Sequence, residues 1–128
     1  MQYILLVYLD EKRFAALPEE VRQRVHDECL AWQAELDASG RGAGQKGLHP
    51  TSTATTVREK HGRAAFTDGP FAESREVLGG FSVIECKNLD EALGIASRFP
   101  GLRAGLAVEV RPCFTGDPHV HGLEAEVA

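Results

Sequence analysis

A long apolar run is missing from this chain. The most apolar stretch, Tyr3–Leu9, stops at Asp10 and has no basic segment before it, so it reads as a strand and not as a signal peptide or membrane span. Cysteine is also scarce. Cys29, Cys86 and Cys113 are odd in number and show no C-x-x-C spacing, which indicates neither a disulfide framework nor a zinc site. Positive charge is short as well: 14 Lys and Arg against 19 Asp and Glu leave a formal charge of −5, with no basic cluster. That balance argues against a nucleic-acid or anionic-membrane partner, since either wants a basic face. The familiar catalytic signatures are absent too. Ser74 and Ser82 lack a G-x-S-x-G elbow, and no Cys–His pairing is legible. Gly40, Gly42, Gly44 and Gly47 lie close to Arg41 and Lys46 but match no phosphate-loop spacing. These absences leave a cytoplasmic, soluble single domain for which no metal or organic cofactor is implied.

What is present is a mixed α+β pattern. At 128 residues the chain is long enough to bury roughly two-thirds of its unfolded surface. Tyr3–Leu9 is apolar at every position, as expected of a strand covered on both faces. Pro18-Glu19-Glu20 opens a helix in which Val21, Val25, Cys29, Trp32 and Leu36 share one stripe, and Ser39-Gly40 ends it. His26, Leu30 and Gln33 flank that stripe. A short strand near Gln45–His49 follows. Thr51–Arg58 and Arg63–Thr67 then make a hairpin around Glu59-Lys60-His61-Gly62.

Further on, Phe81–Cys86 is strand-like. Asn88 caps a second helix with Glu91 completing the capping box, and Leu89, Ala92, Leu93, Ala96 and Phe99 form its inner stripe. Leu106–Arg111 alternates as a half-buried closing strand. The order is a ferredoxin-like βαββαβ with an inserted β-hairpin, its antiparallel sheet covered by two helices on one face. Two helices cover one face only. The apolar residues on the other, Ile4, Leu6 and Tyr8 or the alternating set, then call for a second copy of the chain or a ligand-filled pocket, two readings that can hold together, and a homodimer is expected. Residues 114–128 read as a tail. Its His119 and His121 share one side of an extended segment, but nothing nearby supplies the remaining ligands for a metal.

The stretch from Arg63 to Cys86 is where a site is expected. Asp68-Gly69-Pro70 is a turn in which Asp bonds downstream amides, Gly takes positive φ and Pro fixes the exit. Gly79-Gly80 opens the next strand without side chains, which suits a bulge or the close approach of a ligand or backbone. Asp68 is the candidate catalytic group, as a carboxylate able to shuttle a proton. Glu73, Arg75, Gly79, Gly80, Phe81, Arg111 and His49 are the candidate ligand-binding residues, with Phe71 and Phe81 as an apolar wall.

Thr67-Asp68-Gly69-Pro70-Phe71-Ala72-Glu73 followed by Leu78-Gly79-Gly80-Phe81 resembles the signature of the DGPF-domain, or YCII-related, proteins. Met1–Tyr8, Thr55–Arg58, Leu89–Ala92 and Val108–Pro112 fall in the same family's order, so the resemblance covers roughly residues 1–113. It implies a ferredoxin-like subunit that pairs into a dimeric α+β barrel, and it implies little about chemistry. Some members are associated with extracytoplasmic-function sigma factors. Shorter YCII-related proteins are thought to use a His on the first helix and an Asp near the end of the second. Here the first helix offers His26 and Cys29, and the second ends Ser97-Arg98-Phe99-Pro100 without an acid, so that pair is not carried over.

Three functions follow as expectations. One is a dimer that binds a small anionic molecule in a cleft near the DGPF turn, in a regulatory role. Another is an isomerase- or lyase-like enzyme in which Asp68 transfers a proton while Arg75 or Arg111 orients an anion. The third is a structural dimer with no ligand. Whether the protein is an enzyme stays open among them.

Overall fold

The computed structural model describes residues 1–114. Within them β1 (Gln2–Leu9), β2 (Gly42–Gly47), β5 (Val77–Glu85) and β6 (Ala107–Pro112) form one antiparallel sheet in the order β2-β5-β1-β6. β3 (Thr55–Lys60) and β4 (Arg63–Asp68) form a separate two-stranded hairpin. The helices are α1 (Glu11–Ala15), α2 (Glu19–Ala38) and α3 (Leu89–Ala96), with short 3-10 turns at Thr51–Thr53 and Pro100–Ala104. With the most apolar strands, β1 and β5, at its centre, the sheet has the ferredoxin-like order, and the hairpin is the insertion expected from the sequence.

Register fixes which side chains meet. Leu5 lies opposite Ser82 on β5 and Val110 on β6, and Tyr3 lies opposite Ile84. These face the helices: Leu5 and Ile84 are 1% and 0% exposed, and they pack with Leu36 of α2 and with Ala92 and Ile95 of α3. One step over, Ile4, Leu6, Tyr8, Phe81 and Val83 alternate onto the face that no helix among the described residues covers, where they remain half-buried. The Tyr8 phenol there donates to Glu109 at 3.3 Å; burial first, then the Glu109 charge, raises its pKa.

Several local expectations shift. The segment after β1 is helical: Asp10 caps α1 by accepting from the Arg13 amide at 3.1 Å, and five residues are too few to show a periodic stripe. Pro18 is the N-cap of α2 and not its first helical residue, while Glu19 and Glu20 do occupy the first turn. β2 begins at Gly42, earlier than expected, and Thr51–Thr53 is a 3-10 turn and not strand. The hairpin closes on two residues, His61 and Gly62, with φ of 52° and 76°, the left-handed pair that matches strand twist. In α3 the Asn88 side chain accepts from the Glu91 amide at 3.0 Å, one half of the expected capping box, while the Glu91 carboxylate pairs with Arg41 at 3.0 Å in place of closing the other half. The buried face, however, is Ala92, Ile95 and Ala96. Leu89 and Leu93 are 47% and 46% exposed, because only one side of this short helix meets the sheet.

Candidate functional site

Two cavities flank the start of β5. The outer one, about 670 Å³, lies where the β1–α1 junction, the Thr51 turn and the segment after Asp68 converge. Its polar residues hold one another in place. The Glu11 carboxylate accepts from the Thr51 hydroxyl and, at 3.0 Å, from the Thr51 amide. Arg75 pairs with Asp10 at 3.3 Å. The Arg13 amide, more than Arg75, holds the Asp10 carboxyl below its ordinary pKa. Glu73 lines this cleft beside Gly69 and Pro70.

The inner cavity, about 280 Å³, opens between α2 and the sheet. Its apolar wall includes Leu5, Val7 and Val108 from the strands and Trp32 and Phe99 from the helical layer. The two rings meet edge to face, with centroids 5.3 Å apart and planes at 73°. The polar side is more unusual. Ser82 and Gln33 are 4% and 7% exposed, and the Ser82 hydroxyl donates to Gln33 Oε1 at 2.9 Å. Gln33 Nε2 in turn donates to Asp37 Oδ1 at 3.0 Å. A side chain at position 42 would strike this carboxylate, since a Cβ there would sit 1.9 Å from Asp37 Oδ1. Glycine at 42 therefore leaves the room that Asp37 uses to hold Gln33. Cys29 also lines the cavity, and burial is the main cause that pushes its thiol pKa up, keeping it protonated. Exposed His26 and Lys46 stand at its edge.

The glycine pair shapes the same cavity. Val7 faces Gly80 and Tyr8 faces Leu78, so Gly79 is the extra residue of a β-bulge. A Cβ on Gly80 would lie 2.9 Å from the Lys46 carbonyl oxygen, and one on Gly79 would lie 2.4 Å from Leu9 Cδ2. Gly80 is required by the close approach of the β2 main chain, whereas at Gly79 the obstruction is the movable tip of the Leu9 side chain.

The residues singled out from sequence are thus divided. Glu73 and Arg75 line the outer cleft, whereas Gly79, Gly80 and Phe81 line the inner cavity. Asp68, His49 and Arg111 belong to neither. Asp68 is exposed at the end of β4 opposite Thr55, and among the described residues its carboxylate makes no hydrogen bond. The turn is tied by main chain and by Thr56 instead: Gly69 N–H donates to Ala54 O at 2.8 Å, and Thr56 Oγ1 donates to Gly69 O at 2.8 Å. His49 is exposed beyond β2, and Arg111 lies opposite Ile4 on the uncovered sheet face. The expected Phe71 wall does not form, since that ring is 77% exposed; register puts Phe81 beside Leu6, on the side away from the helices. Gln33, Asp37 and Ser82 were missed as a group. The i, i+4 spacing of Gln33 and Asp37 is one signal of it.

Among the described residues, no group of three or more His, Cys, Asp or Glu gathers to hold a metal, and no helix is long and apolar enough to cross a membrane. His119 and His121 lie outside the described residues.

Comparison with known proteins places this geometry. A solved structure, 5-chloro-2-hydroxyhydroquinone dehydrochlorinase (TftG) from Burkholderia phenoliruptrix AC1100 in complex with 2,5-dihydroxybenzoquinone, is similar with a TM-score of 0.54. The match covers 91% of this chain and 96% of that one at 18% identity, a likeness of fold. An uncharacterised protein of Rhizobium meliloti (strain 1021) is 37% identical over 113 residues, or 88% of this chain and 91% of that protein. The YCII-related domain matches residues 1–114, every residue the structure describes, and the chain belongs to that family.

Proposed function

We propose that this protein is a cytoplasmic homodimer that binds a small molecule in the cavity between α2 and the sheet. The observation that carries the reading is the buried Gln33–Ser82 pair set beside the apolar side chains Leu5, Val7, Trp32, Phe99 and Val108. Burying polar groups costs stability unless they are bonded, and a small apolar pocket with a few fixed polar groups is the usual form of a ligand site. The similarity in fold to a protein solved with 2,5-dihydroxybenzoquinone is compatible with a small cyclic ligand.

The outer cleft near the DGPF turn is the second candidate, for an anion. Lys12, Arg13 and Arg75 all line it, although Arg75 is already engaged by Asp10. Glu73 belongs to that reading and Gly79 and Gly80 to the inner one, while Phe81, at the edge of the inner cavity, faces the uncovered side of the sheet. Proton transfer by Asp68 has less support, given its exposure and its place outside both cavities. The same holds for roles of His49 and Arg111 in binding.

The dimer rests on the uncovered row Ile4, Leu6, Tyr8, Phe81 and Val83, which a second copy would cover. A stable pair should bury at least about 1,200 Å². Cysteines Cys29, Cys86 and Cys113 are free, in keeping with a reducing compartment.

A thermal-shift screen of metabolites on the wild type and on Ser82→Leu tests the site. Hits should stabilise the wild type, by about 2.7 kcal/mol at a hundredfold excess over Kd, and be lost when leucine fills the cavity. Hits retained in Ser82→Leu but lost in Glu73→Ala move the site to the outer cleft. Light scattering tests the pairing: a dimer for the wild type and a monomer for Leu6→Lys are expected, and a wild-type monomer refutes it.

A further inference from the structure

We infer that the inner cavity selects a small, neutral, largely apolar compound carrying a hydrogen-bond donor, such as a hydroxyl group, and that Asp37 sets this preference without lining the cavity. The inference rests on the cavity reading given above and names its ligand class. The argument starts from Gln33, whose amide has one donor end and one acceptor end. Asp37, one turn further along α2, offers a carboxylate that only accepts, so the Gln33 nitrogen is drawn to it at 3.0 Å. The Gln33 oxygen must then face β5, where it takes the hydrogen of Ser82 at 2.9 Å.

The Ser82 hydrogen is thereby committed. What Ser82 and Gln33 still offer toward the cavity are oxygen lone pairs, two on the hydroxyl and one on the amide. An incoming ligand that brings a donor satisfies them. One that brings only an acceptor places lone pair against lone pair and leaves a buried group unbonded. Leu5, Val7, Trp32, Phe99 and a Cys29 thiol that burial keeps neutral favour an uncharged apolar body, while the exposed His26, Gln45 and Lys46 complete the lining, Gln45 opposite Ser82 on β2. Gly42 belongs to the same device, since its missing side chain is the space in which the Asp37 carboxylate sits.

The test compares two probes of nearly equal size, cyclohexanol and cyclohexanone, by titration calorimetry or ligand-observed NMR. The readout is the ratio of their dissociation constants. In the wild type cyclohexanol should bind about tenfold more tightly, the worth of one hydrogen bond made against one refused. In Asp37→Ala, Gln33 is free to turn its nitrogen toward Ser82, which releases the Ser82 hydrogen, and the ratio should fall toward one. Asp37 is exposed, so this variant leaves the core packing in place. Gln33→Met removes the amide and should move the ratio the same way. Equal binding of the two probes to the wild type overturns the inference while sparing the cavity, and so does a ratio unchanged in Asp37→Ala. Binding of neither probe overturns the cavity reading and this inference with it.

Discussion

Gly42→Ala should destabilise this protein, although nothing in the backbone conformation at position 42 forbids alanine. Its φ lies outside the left-handed region. In a compatible strand the exchange normally stabilises by about 0.4–1 kcal/mol, through the unfolded chain. Here the new Cβ would stand 1.9 Å from Asp37 Oδ1 and 3.0 Å from Cγ, so the carboxylate must leave. Its departure removes the bond from Gln33, and a hydrogen bond to a charged group contributes about 1.5–3 kcal/mol. The two effects net to a loss of about 1–2 kcal/mol, or a fall in Tm of roughly 4–8 °C for a domain of this size. Scanning calorimetry at fixed protein concentration reads the value. The decisive comparison is the same exchange in an Asp37→Ala background. With the obstructing carboxylate gone, only the 3.2 Å approach to the Asp37 Cα remains. Gly42→Ala should then be near neutral, within about 0.5 kcal/mol, giving a coupling of about 1–2 kcal/mol between the two positions. Equal losses in both backgrounds, or a stabilised Gly42→Ala protein, refute the reasoning.

Two further predictions concern titration. Burial is the first cause raising the pKa of the Cys29 and Cys86 thiols, so a thiol-reactive dye at pH 7 should modify both slowly, with rates climbing only above the ordinary thiol range. Because the folded values are raised, the associated stability is present below the unfolded thiol pKa and is lost as pH rises through the folded one. Rapid modification of Cys29 at neutral pH contradicts this. Asp10 behaves in the opposite sense: the Arg13 amide is the largest cause lowering its pKa, with Arg75 contributing less. Its stabilisation of α1 is complete above about pH 4 and lost as pH falls through the folded value. A carboxyl NMR titration with its midpoint at or above the ordinary aspartate range rules it out.

What the sequence disclosed was local chemistry. Asn88 caps α3 through the Glu91 amide as its place in the sequence indicates, although the Glu91 carboxylate turns to Arg41 and does not complete the capping box. Gly79-Gly80 announced a bulge and forms one, and Leu106–Arg111 alternates as β6 does. The short helix at Glu11–Ala15 escaped because five residues carry no period. The buried side of α3 was misjudged for a related reason: Leu89, Leu93 and Ile95 are equally apolar, and only the position of the sheet decides that Ile95 is covered.

The site divides along the same line. Asp68-Gly69-Pro70 has the strongest local signature in the chain, and its work is local: it turns the chain out of β4 and leaves the Asp68 carboxylate in solvent. Its position matters more than its side chains, because Gly69 and Pro70 themselves line the outer cleft and the segment they release follows it as far as Val77 before reaching the inner cavity at Gly79, two residues later. The polar groups that give the inner cavity its character come from elsewhere. Ser82 and Gln33 are 49 residues apart, and neither stands in a motif. Each looks locally out of place: a serine within the apolar run of β5 and a glutamine beside the buried stripe of α2. Two polar residues on faces that should be apolar cost stability singly and become tolerable only bonded to each other. Two such misfits on elements destined to pack together are therefore the trace that a bonded, buried polar pair leaves in sequence, and here that trace points to the inner cavity more directly than the turn motif does.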